Sequence, residues 1–295
     1  MERIRLGISS WSTPELEKSF YPTEARSAAD RLRYYSSKFS VAEIDSSFHF
    51  FPTSHNVELW LGNTPDGFAF DVRAFSLLTG HPTALEALPK SIRDKYASQI
   101  QAKGNIYSHH LPPEVIDELW AVFGLTIDRF QAVGKLGAVL FQFPPWFHPE
   151  MDNYDYISAC RDRLLQNRVA VEFRVGSWLE GHKEETLEFL RKLDITLVCV
   201  DEPQGFTSSL PPVAEATADL AIIRFHGRNA GTWEKKGIPA DERFNYLYNE
   251  EELEEWVPKI RHLAESSEVH VIFKNKHADY PVRNVLQMQK LLGII

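Results

Sequence analysis

The sequence predicts a closed (β/α)₈ barrel of the TIM type, and three observations support this fold class. The chain has 295 residues, which suits an α/β barrel of about 250 residues with insertions. Eight short apolar or β-branched runs alternate with segments of helical period, as expected for repeated βα units and a parallel sheet. No Gly-rich phosphate fingerprint follows the first run, which argues against the alternative of a doubly wound sheet.

The predicted elements follow one another along the whole chain. Strands are predicted at residues 4–9, 41–45, 68–73, 138–143, 169–173, 196–201, 220–225 and 269–273. Helices are predicted at residues 27–38, 55–61, 113–134, 154–165, 183–192, 250–265 and 279–292. The sixth strand has no clear helical segment after it, and the expected helix is placed around residues 211–216.

Loop lengths predict one barrel domain, residues 1–295, with a long insertion. Three excursions follow strand ends, where such barrels build their sites, at residues 75–112, 202–212 and 227–248. The first is longer than a plain connection needs. We therefore expect residues 75–112 to form a lid-like insertion over the site.

Composition narrows the function classes. The net charge of −9 disfavours, without ruling out, a nucleic-acid partner. The first residues lack a signal peptide, and no apolar run reaches membrane-span length, so a cytoplasmic protein with no membrane contact is predicted. Cys160 and Cys199 show no zinc spacing and are interpreted as packing residues. We predict no cofactor.

Alternation along the strands predicts which polar side chains point into the barrel. The inward set near the strand C-terminal ends comprises Ser9, Glu43, Asp45, Asp71, Arg73, Gln142, Glu172, Arg174, Asp201, Arg224, His226 and Lys274. A salt-bridge network that only fills the barrel end is the structural alternative, because buried charges need partners. We favour a functional site, since the polar residues are expected at one end only.

Eight short stretches form a combination that is characteristic of a known family: residues 7–11 (GISSW), 20–22 (FYP), 31–35 (RLRYY), 43–48 (EIDSSF), 141–145 (FQFPP), 171–174 (VEFR), 177–178 (SW) and 224–228 (RFHGR). In this order they resemble the YecE-like family, a domain of unknown function. The resemblance implies a barrel related to TIM and no established activity. Asp45, His49, Arg73 and the pair Lys274 and Asn275 depart from the family pattern, so the ligand is not expected to be shared across the family.

Arginine points to an anionic ligand, because its planar fork matches carboxylate and phosphate groups and stays charged. Ligand binding is predicted for Arg73, Arg174, Arg224, Arg228, Lys274, Ser9, Trp11 and Gln142. Catalytic roles are predicted for His226, Glu172, Glu43 and Asp201, with His226 as general acid or base and a glutamate as its complement.

We therefore expect an enzyme, a hydrolase, lyase or isomerase, that acts on a phosphorylated or carboxylated small molecule. One alternative is a non-catalytic anion-binding protein. The other is a divalent-metal phosphodiesterase that would use Glu43, Asp45, Glu172, Asp201, His226 and His49 as ligands. No compact metal motif occurs and nearby cations would compete with the ion, so no metal-ligating residue is predicted.

Overall fold

Eight parallel strands close into one barrel in the computed structural model, which describes residues 3–100 and 104–295. The barrel strands are β1 (Ile4–Ser9), β2 (Val41–Ile44), β3 (Ala69–Arg73), β6 (Leu136–Gln142), β7 (Val169–Glu172), β8 (Ile195–Asp201), β9 (Leu220–Phe225) and β10 (Glu268–Phe273). Two short strands, β4 (Thr83–Ala84) and β5 (Asn105–Ile106), form a separate antiparallel pair. The barrel closes between β1 and β10, which confirms the predicted fold class.

Helices surround the barrel, and the longer ones bury apolar residues against its strands. They are α1 (Pro14–Ser19), α2 (Ala28–Ser36), α3 (Ser54–Gly62), α4 (Lys90–Lys95), α5 (Pro113–Ala132), α6 (Met151–Asp162), α7 (Lys183–Lys192), α8 (Ala240–Arg243), α9 (Glu250–Glu254), α10 (Val257–Ser266) and α11 (Tyr280–Leu292). None of the helices in the described ranges is long and apolar enough to span a membrane.

Two helix predictions need correction. The segment predicted at 250–265 is divided into α9 and α10, with a proline in the first turn of α10. Residues 211–216 form no helix, because Pro211 and Pro212 remove two successive backbone donors.

The first two strands approach closely because of a glycine and a buried tyrosine. The Tyr35 hydroxyl accepts a hydrogen bond from the Ile8 amide at 2.8 Å and donates one to the Val41 carbonyl at 2.9 Å. A Cβ atom at Gly7 would lie 1.9 Å from the Val41 carbonyl oxygen, so this position of β1 requires glycine. The contact fixes β1 beside β2, which places Ser9 opposite Glu43 at the strand ends.

Residues 75–112 leave the barrel after β3 and form short 3₁₀ turns, the β4–β5 pair and α4. Residues 101–103 of this segment lie outside the described residues. The His81 ring lies 5.0 Å from the Phe48 ring and 6.0 Å from the Trp146 ring. Phe48 and Trp146 follow β2 and β6, so the first part of the segment lies at the C-terminal end of the barrel. A lid function for this segment stays a prediction.

Candidate functional site

Polar side chains converge at the C-terminal ends of the barrel strands, and we call this cluster the mouth. The structure brings together ten of the predicted residues: Ser9, Glu43, Asp45, Arg73, Gln142, Glu172, Arg174, Arg224, His226 and Lys274. It adds Glu202 and Lys276, which were not predicted. These residues form one continuous network of hydrogen bonds and ion pairs.

Arg224 occupies the centre of the mouth between two carboxylates. One of its terminal nitrogens lies 2.7 Å from Glu43 Oε1, and the other contacts Glu172. All three side chains are fully buried. Burial opposes ionisation of Glu172, but Arg224, His226 and Arg174 together outweigh it and hold the pKa of that carboxyl well below its ordinary value. The charge of Arg224 is therefore already matched by protein groups.

His226 is neutral in this setting. Its Nε2 lies 3.0 Å from Glu172 Oε1. Burial lowers the pKa of the His226 imidazole to about 3, although Glu172 opposes this shift. Nε2 therefore carries the proton and donates to Glu172, while Nδ1 is an acceptor with no hydrogen-bond partner among residues 3–100 and 104–295. A neutral ring with a low pKa is a weak base near pH 7.

Asp45 organises the side of the mouth near β2. Arg73, Lys274 and Lys276 all contact its carboxylate, with Lys274 Nζ at 3.2 Å from Oδ1. The Arg73 guanidinium also lies over the Phe48 ring at 4.0 Å. Burial, followed by the charges of Arg224 and Arg73, lowers the pKa of the Lys274 ammonium to about 7.

Arg174 is the arginine of the mouth with the weakest protein contacts. It lies 3.4 Å from Glu172 Oε1 and 3.7 Å from Glu202 Oε2, and the second distance is too long for a hydrogen bond. Its guanidinium stacks over the Trp233 ring at 4.6 Å. The Arg174 side chain is 17% exposed, whereas that of Arg224 is fully buried.

Glu202 is one of the two mouth residues that sequence reasoning missed. It is buried, and one carboxylate oxygen accepts a hydrogen bond from the Leu210 amide at 2.7 Å. The other oxygen has no such partner in the described part of the chain. Burial raises the pKa of the Glu202 carboxyl to about 7, against the opposing charge of Arg174. Glu202 therefore changes its protonation near neutral pH.

The prediction that Asp201 points into the barrel is wrong. Asp201 is in register with Phe225, and both side chains face the helix layer. The Asp201 carboxylate accepts hydrogen bonds from the Tyr248 hydroxyl and from Trp256 Nε1, each at 2.7 Å. Its inward neighbour in sequence is Glu202.

The side chains of Arg228 and Trp11 also contact the helix layer rather than the hydrogen-bond network of the mouth. Arg228 makes two short contacts with the Asp201 carboxylate, at 2.9 and 2.7 Å, and a third with Glu255 at 2.8 Å. The expected convergence of four arginines is therefore not observed. Trp11 packs in the helix layer, with its ring 5.7 Å from that of Trp60 and 5.8 Å from that of Phe70.

Polar residues also gather at the other end of the barrel, contrary to expectation. Asp71, predicted to lie near the mouth, instead contacts His270 Nδ1 at 2.9 Å. Glu268 lies 3.5 Å from His270 Nε2 and 2.7 Å from Arg168. Burial lowers the pKa of His270, but Asp71 and Glu268 together more than compensate and raise it to about 9. We call this cluster the lower network: Arg5, Asp71, Arg168, Glu268 and His270.

Within residues 3–100 and 104–295, no three His, Cys, Asp or Glu side chains are grouped closely enough to hold a metal ion. Glu43, Asp45 and Glu172 are engaged with basic side chains, and Asp201 lies in the helix layer. Of the two proposed histidine ligands, His226 is hydrogen-bonded to Glu172 through Nε2, and His49 is exposed and packs against Phe48. The donor set suggested for a divalent-metal phosphodiesterase is thus not assembled.

Comparison with known proteins identifies the family. The model of the family described as "Protein of unknown function DUF72" matches residues 5–294. The protein belongs to the DUF72 family. Among DUF72-related proteins, the UPF0759 protein YunF of Bacillus subtilis (strain 168) is 32% identical, with 99% of this chain and 95% of YunF aligned. The earlier resemblance to the YecE-like family is consistent with this assignment.

Solved structures of DUF72 proteins share the barrel. A DUF72 protein from Enterococcus faecalis V583 superimposes with a TM-score of 0.78 at 25% identity, over 98% of this chain and 95% of that one. A DUF72 protein from Thermotoga maritima MSB8 gives a TM-score of 0.74 at 29% identity, over 98% and 99% of the two chains. The similarity extends across the entire barrel.

Proposed function

We propose that the mouth is the active site of an enzyme that acts on a small phosphorylated or carboxylated molecule. One observation carries the proposal. Buried side-chain atoms without a hydrogen-bond partner among the described residues cluster there: Glu43 Oε2, Arg73 Nε, Glu202 Oε2, Arg224 Nε, His226 Nδ1 and Trp233 Nε1. Buried polar atoms are normally hydrogen-bonded because desolvation is costly. A bound ligand would supply the missing partners.

The charge balance of the mouth supports an anionic ligand. Five basic side chains (Arg73, Arg174, Arg224, Lys274 and Lys276) lie among four acidic ones (Glu43, Asp45, Glu172 and Glu202). The chain as a whole carries a net charge of −9. The mouth is thus a local exception to an acidic protein, and such a region attracts anions.

Arg174 is the residue that we assign to anion capture. Arg224 is matched by two carboxylates, and Arg73 is paired with Asp45. Arg174 instead makes long contacts and stacks on Trp233. Stacking fixes the plane of a guanidinium and leaves its N–H edges available for a phosphate or carboxylate.

Glu202 is the general acid or base that the geometry favours. A catalytic proton donor or acceptor works best with a pKa near the working pH, and the pKa of Glu202 is raised to about 7 by burial. Glu43 and Glu172 are paired with Arg224, and His226 is a weak base. These three residues therefore hold the other side chains of the mouth in place. Glu202 and Lys274, whose pKa values lie near 7, can accept and release protons.

Isothermal titration calorimetry with inorganic phosphate at low ionic strength tests the binding part. We expect Arg174→Gln to weaken phosphate binding at least about tenfold, since a charged hydrogen-bonding partner is lost. Arg168→Gln, in the lower network, is the matched control and should leave binding unchanged. Absence of phosphate binding to the wild type, or equal binding by Arg174→Gln, would contradict the proposal.

Turnover separates an enzyme from a non-catalytic anion-binding protein. Phosphorylated and carboxylated compounds that bind are incubated with the protein, and their conversion is followed by nuclear magnetic resonance. We expect conversion of at least one compound, and a loss of about 100-fold or more in Glu202→Gln. Binding without conversion across such compounds would favour the non-catalytic alternative. A cytoplasmic location and a lid role for residues 75–112 remain predictions.

A further inference from the structure

The unpartnered atoms of the mouth are of two chemical kinds. Arg73 Nε, Arg224 Nε and Trp233 Nε1 are donors, whereas Glu43 Oε2 and His226 Nδ1 are acceptors. Glu202 Oε2 is also an acceptor whenever its carboxyl is ionised. The dianion of a simple alkyl phosphate and simple carboxylates offer only acceptors to their surroundings. They would satisfy the donors of the mouth and would repel the two carboxylate oxygens.

A cation is a poor partner for these two oxygens. Lys274 Nζ lies 3.9 Å from Glu43 Oε1, and Arg174 lies 3.7 Å from Glu202 Oε2. A positive ion placed beside either carboxylate would be repelled by these neighbouring charges. A neutral donor has no such cost. The hydroxyl group is the common neutral group that both donates and accepts a hydrogen bond, so it can serve both kinds of unpartnered atom.

Aromatic rings border the same region. Trp146 is 55% exposed although it lies next to His81, and the Trp233 ring stacks with Arg174. An exposed tryptophan at the rim of a polar site offers an apolar face, which suits the C–H groups of a sugar. Acidic side chains, arginines and an aromatic rim are together the chemistry that a hydroxylated ligand needs.

We infer that the ligand is a polyhydroxylated anion, a sugar phosphate or sugar acid, whose anionic group binds Arg174 and whose hydroxyls donate to Glu43 and Glu202. This inference rests on the proposed function and specifies its substrate class. A simple anion site requires only a negative charge on the ligand. This inference also requires that the hydroxyl groups of the ligand contribute to its affinity.

Paired probes test the inference by calorimetry at pH 8 and low salt. Ribose 5-phosphate is compared with propyl phosphate, gluconate with hexanoate, and uncharged ribose serves as a further arm. We expect each hydroxylated anion to bind about tenfold or more tightly than its alkyl counterpart, and ribose to bind most weakly. Tighter binding of ribose 5-phosphate than of gluconate would indicate a sugar phosphate, and the reverse order would indicate a sugar acid.

Two variants separate the contributions. Glu202→Gln keeps an oxygen for the Leu210 amide but replaces the second oxygen by an NH₂ donor. It should reduce the preference for the hydroxylated probe at least about threefold without weakening propyl phosphate. A merely structural role would weaken both probes alike. Arg174→Gln should weaken all charged probes and leave their ratio nearly unchanged.

The possible failures are distinguishable. Equal wild-type affinity for hydroxylated and alkyl anions would overturn the inference, because solvent would then satisfy the two carboxylate oxygens, and would leave the anion site standing. Ribose binding as tightly as ribose 5-phosphate would overturn the role of Arg174. Absence of binding by every anion would overturn the inference and the proposed function together.

Discussion

Both ends of the barrel contain buried ions, but the lower network and the mouth differ in how completely those ions are partnered. In the lower network, both oxygens of Asp71 contact His270, and the two oxygens of Glu268 are divided between Arg5 and Arg168. Among the described atoms of this network, His270 Nε2 alone is buried without a hydrogen-bond partner. The mouth contains several such atoms on residues from different strands.

This difference separates two roles that buried charges can have. A network whose members satisfy one another needs no further molecule, and its contribution is to the folded state. A network with unpartnered donors and acceptors lowers the stability of the folded protein, and a ligand that pairs with those groups raises it. The presence of ions at a barrel end is therefore weak evidence for function, whereas unsatisfied ions at that end are stronger evidence.

The largest expected effect is the loss of stability in Arg224→Met. Removal of the guanidinium leaves Glu43 and Glu172 buried without their main partner, and breaking a buried pair costs about 3–5 kcal/mol. Urea unfolding at pH 7 measures this change. Arg168→Met is the comparison in the lower network, and we expect a smaller loss because its side chain is 38% exposed. Equal losses would show that the two ends are equally dependent on their arginines.

A pH-dependent stability is expected from the lower network. The pKa of His270 is raised from 6.5 to about 9 in the folded protein. Its stabilisation is therefore complete below pH 6.5 and is lost as the pH rises through 9, by about 3 kcal/mol. Urea unfolding at pH 6 and pH 9.5 measures the loss. Asp71→Asn removes the larger of the two causes and should weaken this dependence, and a wild type with no change over that range would refute the assignment.

A smaller effect of the same sign is expected from Glu202 in the mouth. The pKa of Glu202 is raised from 4.5 to about 7, so ionisation of the buried carboxyl destabilises the fold as the pH rises through 7. Glu202→Gln should therefore gain stability over the wild type between pH 5 and pH 8.5, by about 2–3 kcal/mol. Urea unfolding at both pH values measures the difference.

Glu185→Gln is the control for that experiment, because Glu185 is two-thirds exposed and its substitution should be neutral at both pH values. A stability difference between Glu202→Gln and the wild type that stays constant with pH would contradict a raised pKa in Glu202. It would also indicate that the carboxylates of the mouth are partnered as completely as those of the lower network.

The sequence predicted the barrel strands to within about two residues, and alternation placed most mouth residues correctly. Strands with a polar residue on one face, such as β2 and β9, define their own register. The β8 strand is apolar on both faces, as is usual for a parallel strand buried between barrel interior and helices. Its pattern could not show that Asp201 faces outward.

Asp201 faces the helix layer because distant residues satisfy it there. Its partners Tyr248, Trp256 and Arg228 come from the region after β9, and no local pattern reveals such partners. Glu202 was missed because it follows the last residue of β8 and was assigned to a loop. Once the structure shows that Asp201 faces outward, the alternation through Val198 and Val200 places Glu202 at the next inward position.

The central ion triad also links widely separated parts of the chain. Arg224 lies 181 residues from Glu43 and 52 residues from Glu172 in the sequence. A fragment that ends midway between β6 and β7 would contain Glu43 without Arg224, and the remaining fragment would contain Arg224 and Glu172 without Glu43. Neither fragment could neutralise its buried charge as the whole barrel does. Folding of the first strands is thereby coupled to that of the last, so we expect the barrel to unfold as a single cooperative unit rather than as two independent halves.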